Sequence, residues 1–234
     1  MGNVKIIFAN ENPNSGKSTL CLAFANYISS INKCSVDIFD CDYNSPLFFK
    51  REDELNIQKI LKSEDTLTNV NQLNIIPFCL SNGYSLFNLL SDINVRDGYF
   101  FFDIPSVISP IKYLQLLLIA DFVICPVTLT IESILNTASF LLFIERFKVK
   151  TEKEYKKTDL KVIIVPNMIS EKFITNNIKD IWDSKLEIFN RHSKVAPGIP
   201  WVDNFFKEMS SRYNNLSDSC SGSFSYMLNL INSN

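Results

Sequence analysis

The sequence predicts an α/β fold of three layers, with helices on both faces of a mostly parallel central sheet. Three observations lead there. Short apolar runs alternate with longer stretches of helical periodicity, and that alternation builds right-handed β-α-β crossovers. The runs are near-continuously apolar, as strands buried on both faces must be. Several runs end on polar or acidic residues, which gathers those residues at the carboxyl edge of the sheet, where such folds bind ligands.

The elements follow in order. Residues 4–9 read as a buried strand, and 10–16 as a polar loop. Helical periodicity over 17–30 puts Leu20, Phe24 and Ile28 on one face. A second strand, 36–39, ends at Asp40-Cys41-Asp42. Ser45 and Pro46 suit a helix start, a cap followed by a first-turn proline. A strand over 73–78 and a helix over 84–93 come next. The aromatic run 99–102 is a strand ending at Asp103. A helix over 110–119, a strand over 121–127 and a long amphipathic helix over 131–147 follow. The polar stretch 148–157 reads as a helix end plus a loop. Residues 160–165 are another strand, ending at Pro166-Asn167. A helix over 173–189 and helical stretches near 202–213 and 223–232 close the chain. No repeat or low-complexity linker interrupts it, so residues 1–234 are expected to form one domain.

Composition removes several function classes. With 46% hydrophobic residues and a net charge of −2, the chain is not dominated by disorder. That charge supplies no global pull toward nucleic acid or anionic membrane. The six cysteines form no Cys-x-x-Cys pair and His192 is the single histidine, which argues against a zinc finger or ribbon. Residues 114–127 contain Asp121 and Pro126 and are too few to span a bilayer. The first residues turn polar by Asn10, too soon for a signal sequence, so a reducing cytoplasm is expected. Glycine is scarce: six in 234 residues. A site built on a glycine-rich loop therefore starts at a disadvantage.

Gly16-Lys17-Ser18-Thr19 nevertheless lies between a strand and a helix. Glycine lets the backbone approach a phosphate, and the helix start aims N–H groups and a positive dipole end at it. Lysine places a cation beside the β- and γ-phosphates, and Ser18 can bind Mg²⁺ through its hydroxyl. The full phosphate-loop pattern has a glycine five residues before Gly16, where this chain has Glu11. Of Asp40 and Asp42, one carboxylate can hold a magnesium-bound water and the other orient an attacking water. Asp103, followed by Ile104-Pro105, reads as a Walker-B-type carboxylate. Each element has a bland alternative: a chance Gly-Lys-Ser at a helix start, or strand-end acids that cap the next helix. Three in this order are far more specific than one.

On these residues the chain resembles the ParA/MinD group of P-loop ATPases, and within it the ParA/Soj-like partition ATPases. The resemblance spans nearly the whole chain. Residues 9–19 align without gaps to the group's phosphate loop, Lys-Gly-Gly-x-Gly-Lys-(Ser/Thr)-(Ser/Thr). Asp40-Cys41-Asp42-Tyr43-Asn44 resembles its Asp-x-Asp-x-Gln, and Asp103-Ile104-Pro105 its Asp-x-Pro-Pro. Residues 119–127 are similar to its Ala-Asp-x-Val-Ile-x-Pro-Val strand, and Ile199-Pro200 to the Ile-Pro after its last strand. The resemblance implies a P-loop NTPase fold, ATP and Mg²⁺ as cofactors, and ATP-dependent homodimerisation with slow hydrolysis. By the same resemblance, Asn14, Ser15, Gly16, Lys17, Ser18 and Thr19 bind the nucleotide, with Lys17 on the β/γ-phosphates. Ser18 binds Mg²⁺, Asp40 and Asp103 hold the magnesium shell, Asp42 positions the lytic water, and Asn167 contacts the base.

The departures are local. Asn12 stands where the group has a signature lysine that reaches across the dimer. Pro13 and Asn14 replace paired glycines; proline removes one N–H, while asparagine tolerates positive φ. Asn44 shortens the usual glutamine.

Partner surfaces are weaker signals. The resemblance implies non-specific DNA binding and a small DNA-binding partner protein. The densest basic stretch, Arg146 to Lys161, is interleaved with Glu145, Glu152, Glu154 and Asp159, which favours a solvated mixed-charge face over a basic stripe. The tail 223–231 has no lysine or arginine, so no membrane anchor is expected. His192 reads as a surface loop residue, and Trp182 and Trp201 as core or nucleotide-adjacent packing. The leading expectation is a ParA-like ATPase in plasmid or chromosome partition or a mobile-element process. Two others stay open: a hydrolysis-poor, nucleotide-dependent interaction protein, and a small-molecule enzyme on the same scaffold.

Overall fold

Side chains alternate across a strand, so an apolar strand covered on one face only would expose half its residues. Here both faces are covered. The computed structural model describes residues 3–32, 34–42, 73–78, 91, 93–106, 110–155, 160–170, 172, 174–201 and 213–233. Among them run β1 (Asn3–Phe8), α1 (Lys17–Asn32), β2 (Val36–Asp40), β3 (Leu73–Pro77), β4 (Gly98–Asp103), α2 (Pro110–Ile119), β5 (Phe122–Thr128), α3 (Ile131–Tyr155), β6 (Lys161–Asn167), α4 (Asn176–His192), β7 (Lys194–Val195) and α5 (Tyr213–Asn232). The helix start expected at Ser45-Pro46 lies outside the described residues, as do most of the helices expected over 84–93 and 202–213.

The strands form one seven-stranded sheet in the order β3-β2-β4-β1-β5-β6-β7. All its described pairings are parallel, so the expected "mostly parallel" sheet is wholly parallel here. One face packs Ile6, Phe8, Ile38, Phe101 and Ile124 against Phe24 and Ile28 of α1 and Phe224 and Met227 of α5. The other packs Ile7, Phe39, Phe102, Val123 and Ile164 against Leu116 of α2, Phe140 and Ile144 of α3 and Phe189 of α4. Alternate residues of β4 serve the two layers: Phe101 stacks on Phe24, and Phe102 on Phe39. At roughly 2–3 kcal/mol per fully buried large apolar side chain, these two cores dominate the stabilisation.

Several boundaries differ from the sequence reading. The helix expected to end at 147 runs to Tyr155, because Glu152, Lys153 and Glu154 continue it as an exposed face. The helix expected from 173 begins at Asn176, behind Thr175, whose side chain caps Ile178 N at 3.4 Å. His192 is the last residue of α4, not a loop residue, with Nδ1 3.5 Å from Glu145 Oε2. Trp182 packs on Phe189, whereas Trp201 is half-exposed, which excludes the core place of the two expected for it, core or nucleotide-adjacent packing.

Candidate functional site

The sheet register brings the site together. Phe8, Asp40 and Asp103 are neighbouring Cα partners at the carboxyl ends of β1, β2 and β4. The backbone continues the ladder past the strands: Cys41 N donates to Asp103 O at 3.1 Å, and Ile104 N to Phe8 O at 3.3 Å. The loop after β1 and the two strand-end acids therefore share one rim.

The loop turns through two positive-φ residues, Asn14 at 60° and Gly16 at 83°. Asparagine is among the few non-glycine residues that adopt this conformation readily. That is how the turn survives without its expected glycine. Gly16 has no such substitute. A Cβ there would lie 2.4 Å from Asn167 Nδ2 and 2.8 Å from Met168 Cε. Its carbonyl accepts the first helical bond from Leu20 N at 2.8 Å, so α1 opens directly on the loop.

Asn167 ends β6, buried, and its Nδ2 donates to Ser15 O at 2.9 Å. The residue assigned to the base by resemblance thus ties the phosphate loop to β6. Asn14, Ser15, Gly16, Lys17, Ser18 and Thr19 form one continuous turn and helix start, with Ser15 and Lys17 buried.

Lys17 Nζ donates to Ser106 Oγ at 2.7 Å and to Asn12 O at 3.1 Å. Burial lowers its pKa, partly offset by the charge of Asp103. Asp103 is buried with Asp40, and burial pushes its pKa to about 7, with a hydrogen bond from Ser18 opposing the rise and Asp40 adding to it. Asp103 Oδ1 is buried without a hydrogen-bond partner. Asp42 N donates to Asp40 Oδ1 at 3.3 Å, and the Asp42 side chain is partly exposed on the rim.

A divalent cation fits this corner. An orphaned buried carboxylate oxygen is costly unless something meets it. Ser18, Asp40 and Asp103 are hard oxygen donors of the type Mg²⁺ takes, together with water and phosphate. Among the described residues no cluster of three His, Cys, Asp or Glu side chains converges on a metal point, so this is not an all-protein cage.

Sequence reasoning missed the opposite side of the loop. Asn10 Nδ2 donates to Pro126 O at 2.6 Å, and Asn10 Oδ1 accepts from Asn12 N at 2.8 Å. Asn136 Nδ2 of α3 donates to Asn12 Oδ1 at 2.7 Å. Ser106, three residues past Asp103, was findable as a polar residue of the same strand-end loop; Asn136 carried no signal. Beside these groups opens a cavity of about 270 Å³, lined by residues 9–11 and 104–106 and by Tyr113, Leu114 and Phe143.

Residues 6–213 match the CobQ/CobB/MinD/ParA nucleotide binding domain. No curated protein sequence matches the chain. Among solved structures, it is similar to a putative plasmid partition protein from Borrelia burgdorferi bound to AMPPNP (15% identity, 97% of this chain and 99% of that one, TM-score 0.66). It is also similar to apo McdA from Cyanothece (14% identity, 96% and 99%, TM-score 0.67). A third likeness is to the MinD cell division protein of Aquifex aeolicus (14% identity, 97% of each chain, TM-score 0.62). At such identities these likenesses establish the fold. No helix among the described residues is long and apolar enough to cross a membrane.

Proposed function

The chain belongs to the CobQ/CobB/MinD/ParA nucleotide-binding family, and from that premise we propose that residues 1–234 act as one ParA-like ATPase domain that binds Mg-ATP on the rim described above. The single observation that carries the reading is the phosphate loop itself. Gly16 turns at positive φ into a helix start, buried Lys17 sits behind it, and the partnerless Asp103 oxygen lies beside Ser18.

In this reading the loop N–H groups and the α1 dipole hold the phosphates. Lys17 exchanges Ser106 for the β/γ-phosphates while it keeps the Asn12 carbonyl, and its charge stabilises the transferring group. Ser18, Asp40 and Asp103 hold the Mg²⁺ shell, which supplies Lewis-acid neutralisation of phosphate charge. Asp42, on the open rim, orients the attacking water. Asn167 holds the loop in register beside the base.

The solved structures named as plasmid partition proteins support a role in plasmid or chromosome partition or a mobile-element process; the resemblance of the motifs adds an ATP-linked homodimer, non-specific DNA and a small DNA-binding protein as partners, in the cytoplasm. The buried Asn12 favours slow turnover, a nucleotide switch more than a fast enzyme. Steady-state ATPase assays on wild type and Asp42→Ala test the catalytic assignment: a fall of about a hundredfold in kcat is expected, and unchanged turnover refutes it. Size-exclusion chromatography with ATP and with ADP tests the dimer.

A further inference from the structure

We propose that Asn12 and Asn136 form an intrachain clamp that positions Lys17 for the nucleotide phosphates. The proposal rests on the nucleotide reading above and goes beyond it by assigning residues of the β5–α3 side.

Asn12 is a hub. Its side chain is buried at 7% exposure, although both its neighbours, Glu11 and Pro13, are exposed. Its backbone N–H is taken by Asn10 Oδ1 at 2.8 Å, and its Oδ1 accepts from Asn136 Nδ2 at 2.7 Å. A longer contact of 3.5 Å runs from its Nδ2 to Ser133 O. Its carbonyl takes Lys17 Nζ at 3.1 Å. Asn10 is itself anchored on Pro126 O at the end of β5.

The path from α3 to the cation is thus Asn136, Asn12 side chain, Asn12 carbonyl, Lys17 ammonium. The first and last links are hydrogen bonds within one chain, and the middle one is the covalent frame of Asn12 itself. A buried lysine must keep acceptors to stay charged. Lys17 has two, Ser106 Oγ and Asn12 O. The direction of the second is set by how the Asn12 side chain is pinned. Pinning also holds the loop in its binding shape before nucleotide arrives, which lowers the ordering cost of binding.

The side chain at position 12 points into its own chain and is buried there. In this arrangement it acts in cis, on the lysine five residues ahead of it. Asn136 reaches Lys17 only through Asn12, so it is a positioning residue, as is Asn12.

The test is a double-mutant cycle on Mg-ATP affinity, measured calorimetrically with wild type, Asn12→Ala, Asn136→Ala and the double variant. Each single change is expected to raise Kd about tenfold, and the double change to add little to either. Asn136→Asp removes the donor at constant size and is expected to match Asn136→Ala. Leu135→Ala, at a half-exposed neighbour on the same helix, is expected to leave Kd unchanged. Singles without effect, or effects that add in full, overturn the clamp. If wild type itself fails to bind Mg-ATP, the nucleotide reading falls, and the clamp is judged on the Lys17 side chain by ¹⁵N NMR. A held, exchange-protected ammonium in wild type that is lost in Asn136→Ala supports it, and identical signals overturn it.

Discussion

On the β2–β4 side of the phosphate loop, Asp40 and Asp103 are buried together and one Asp103 oxygen has no hydrogen-bond partner. On the β5–α3 side, Asn10, Asn12 and Lys17 are equally buried, yet protein atoms meet them at 2.6–3.1 Å. Both sides hold polar groups out of water, at similar desolvation cost. One side recovers that cost within the chain; on the other, Asp42 N meets Asp40 and Ser18 meets Asp103, but one Asp103 oxygen is left for a ligand. The contrast distinguishes a scaffold from a binding site, and it ranks the effects of breaking each.

The largest effect is expected at the residue between the two sides. Gly16→Ala must place a Cβ 2.4 Å from Asn167 Nδ2 at φ 83°. It should cost about 3 kcal/mol of stability and abolish ATP binding, as read by chemical denaturation and calorimetry. Wild-type affinity in this variant would mean that the loop does not carry the site.

Next comes the unsatisfied side, where stability and function should move in opposite directions. Asp103→Asn is expected to remove the Mg²⁺ dependence of ATP binding. The sign of its stability effect follows from the raised pKa, from 3.8 to about 7. Between those values the folded chain holds a proton that the unfolded chain has lost, so the ligand-free protein loses stability as pH rises from about 4 to about 7. Asparagine escapes that loss. The variant should therefore gain about 2 kcal/mol at pH 8 and much less at pH 5. Thermal melts at the two pH values check this. A destabilised variant at pH 8 would mean that Asp103 is satisfied in the chain alone.

The contrast also explains what could be read from the sequence. Apolar runs such as 99–102 and 162–165, the latter within the strand read over 160–165, declare buried strands by composition alone, and Asp40 and Asp103 stand out because acids at the ends of such runs are unusual. The two-residue β7 could not be seen, since a period needs more than Lys194 and Val195 to express itself. Nor could the clamp. Asn12 lies in the phosphate-loop motif only as a departure from it, Asn136 belongs to no motif, and the two meet across 124 positions in the chain. Asn14 was legible in part: its tolerance of positive φ could be inferred, and it is found at 60°. Asn167 was placed at the rim by its strand end, but its bond to Ser15 O depends on a chain crossing of 152 residues.

The smallest effect concerns Asn167. Loss of its bond to Ser15 O should cost about 1 kcal/mol. If the residue serves mainly the loop, Asn167→Ala weakens ATP and GTP binding alike, within a factor of about two, in parallel titrations. A loss confined to ATP would move its role to the base.

The most direct test of the central claim, that the β2–β4 corner is completed by magnesium nucleotide, is the melting temperature of wild type with ATP, with and without Mg²⁺. Mg-ATP at about a hundred times its Kd should add about 3 kcal/mol, or several degrees in Tm. Most of that gain should vanish in EDTA. An equal shift with and without metal, or none at all, would contradict it.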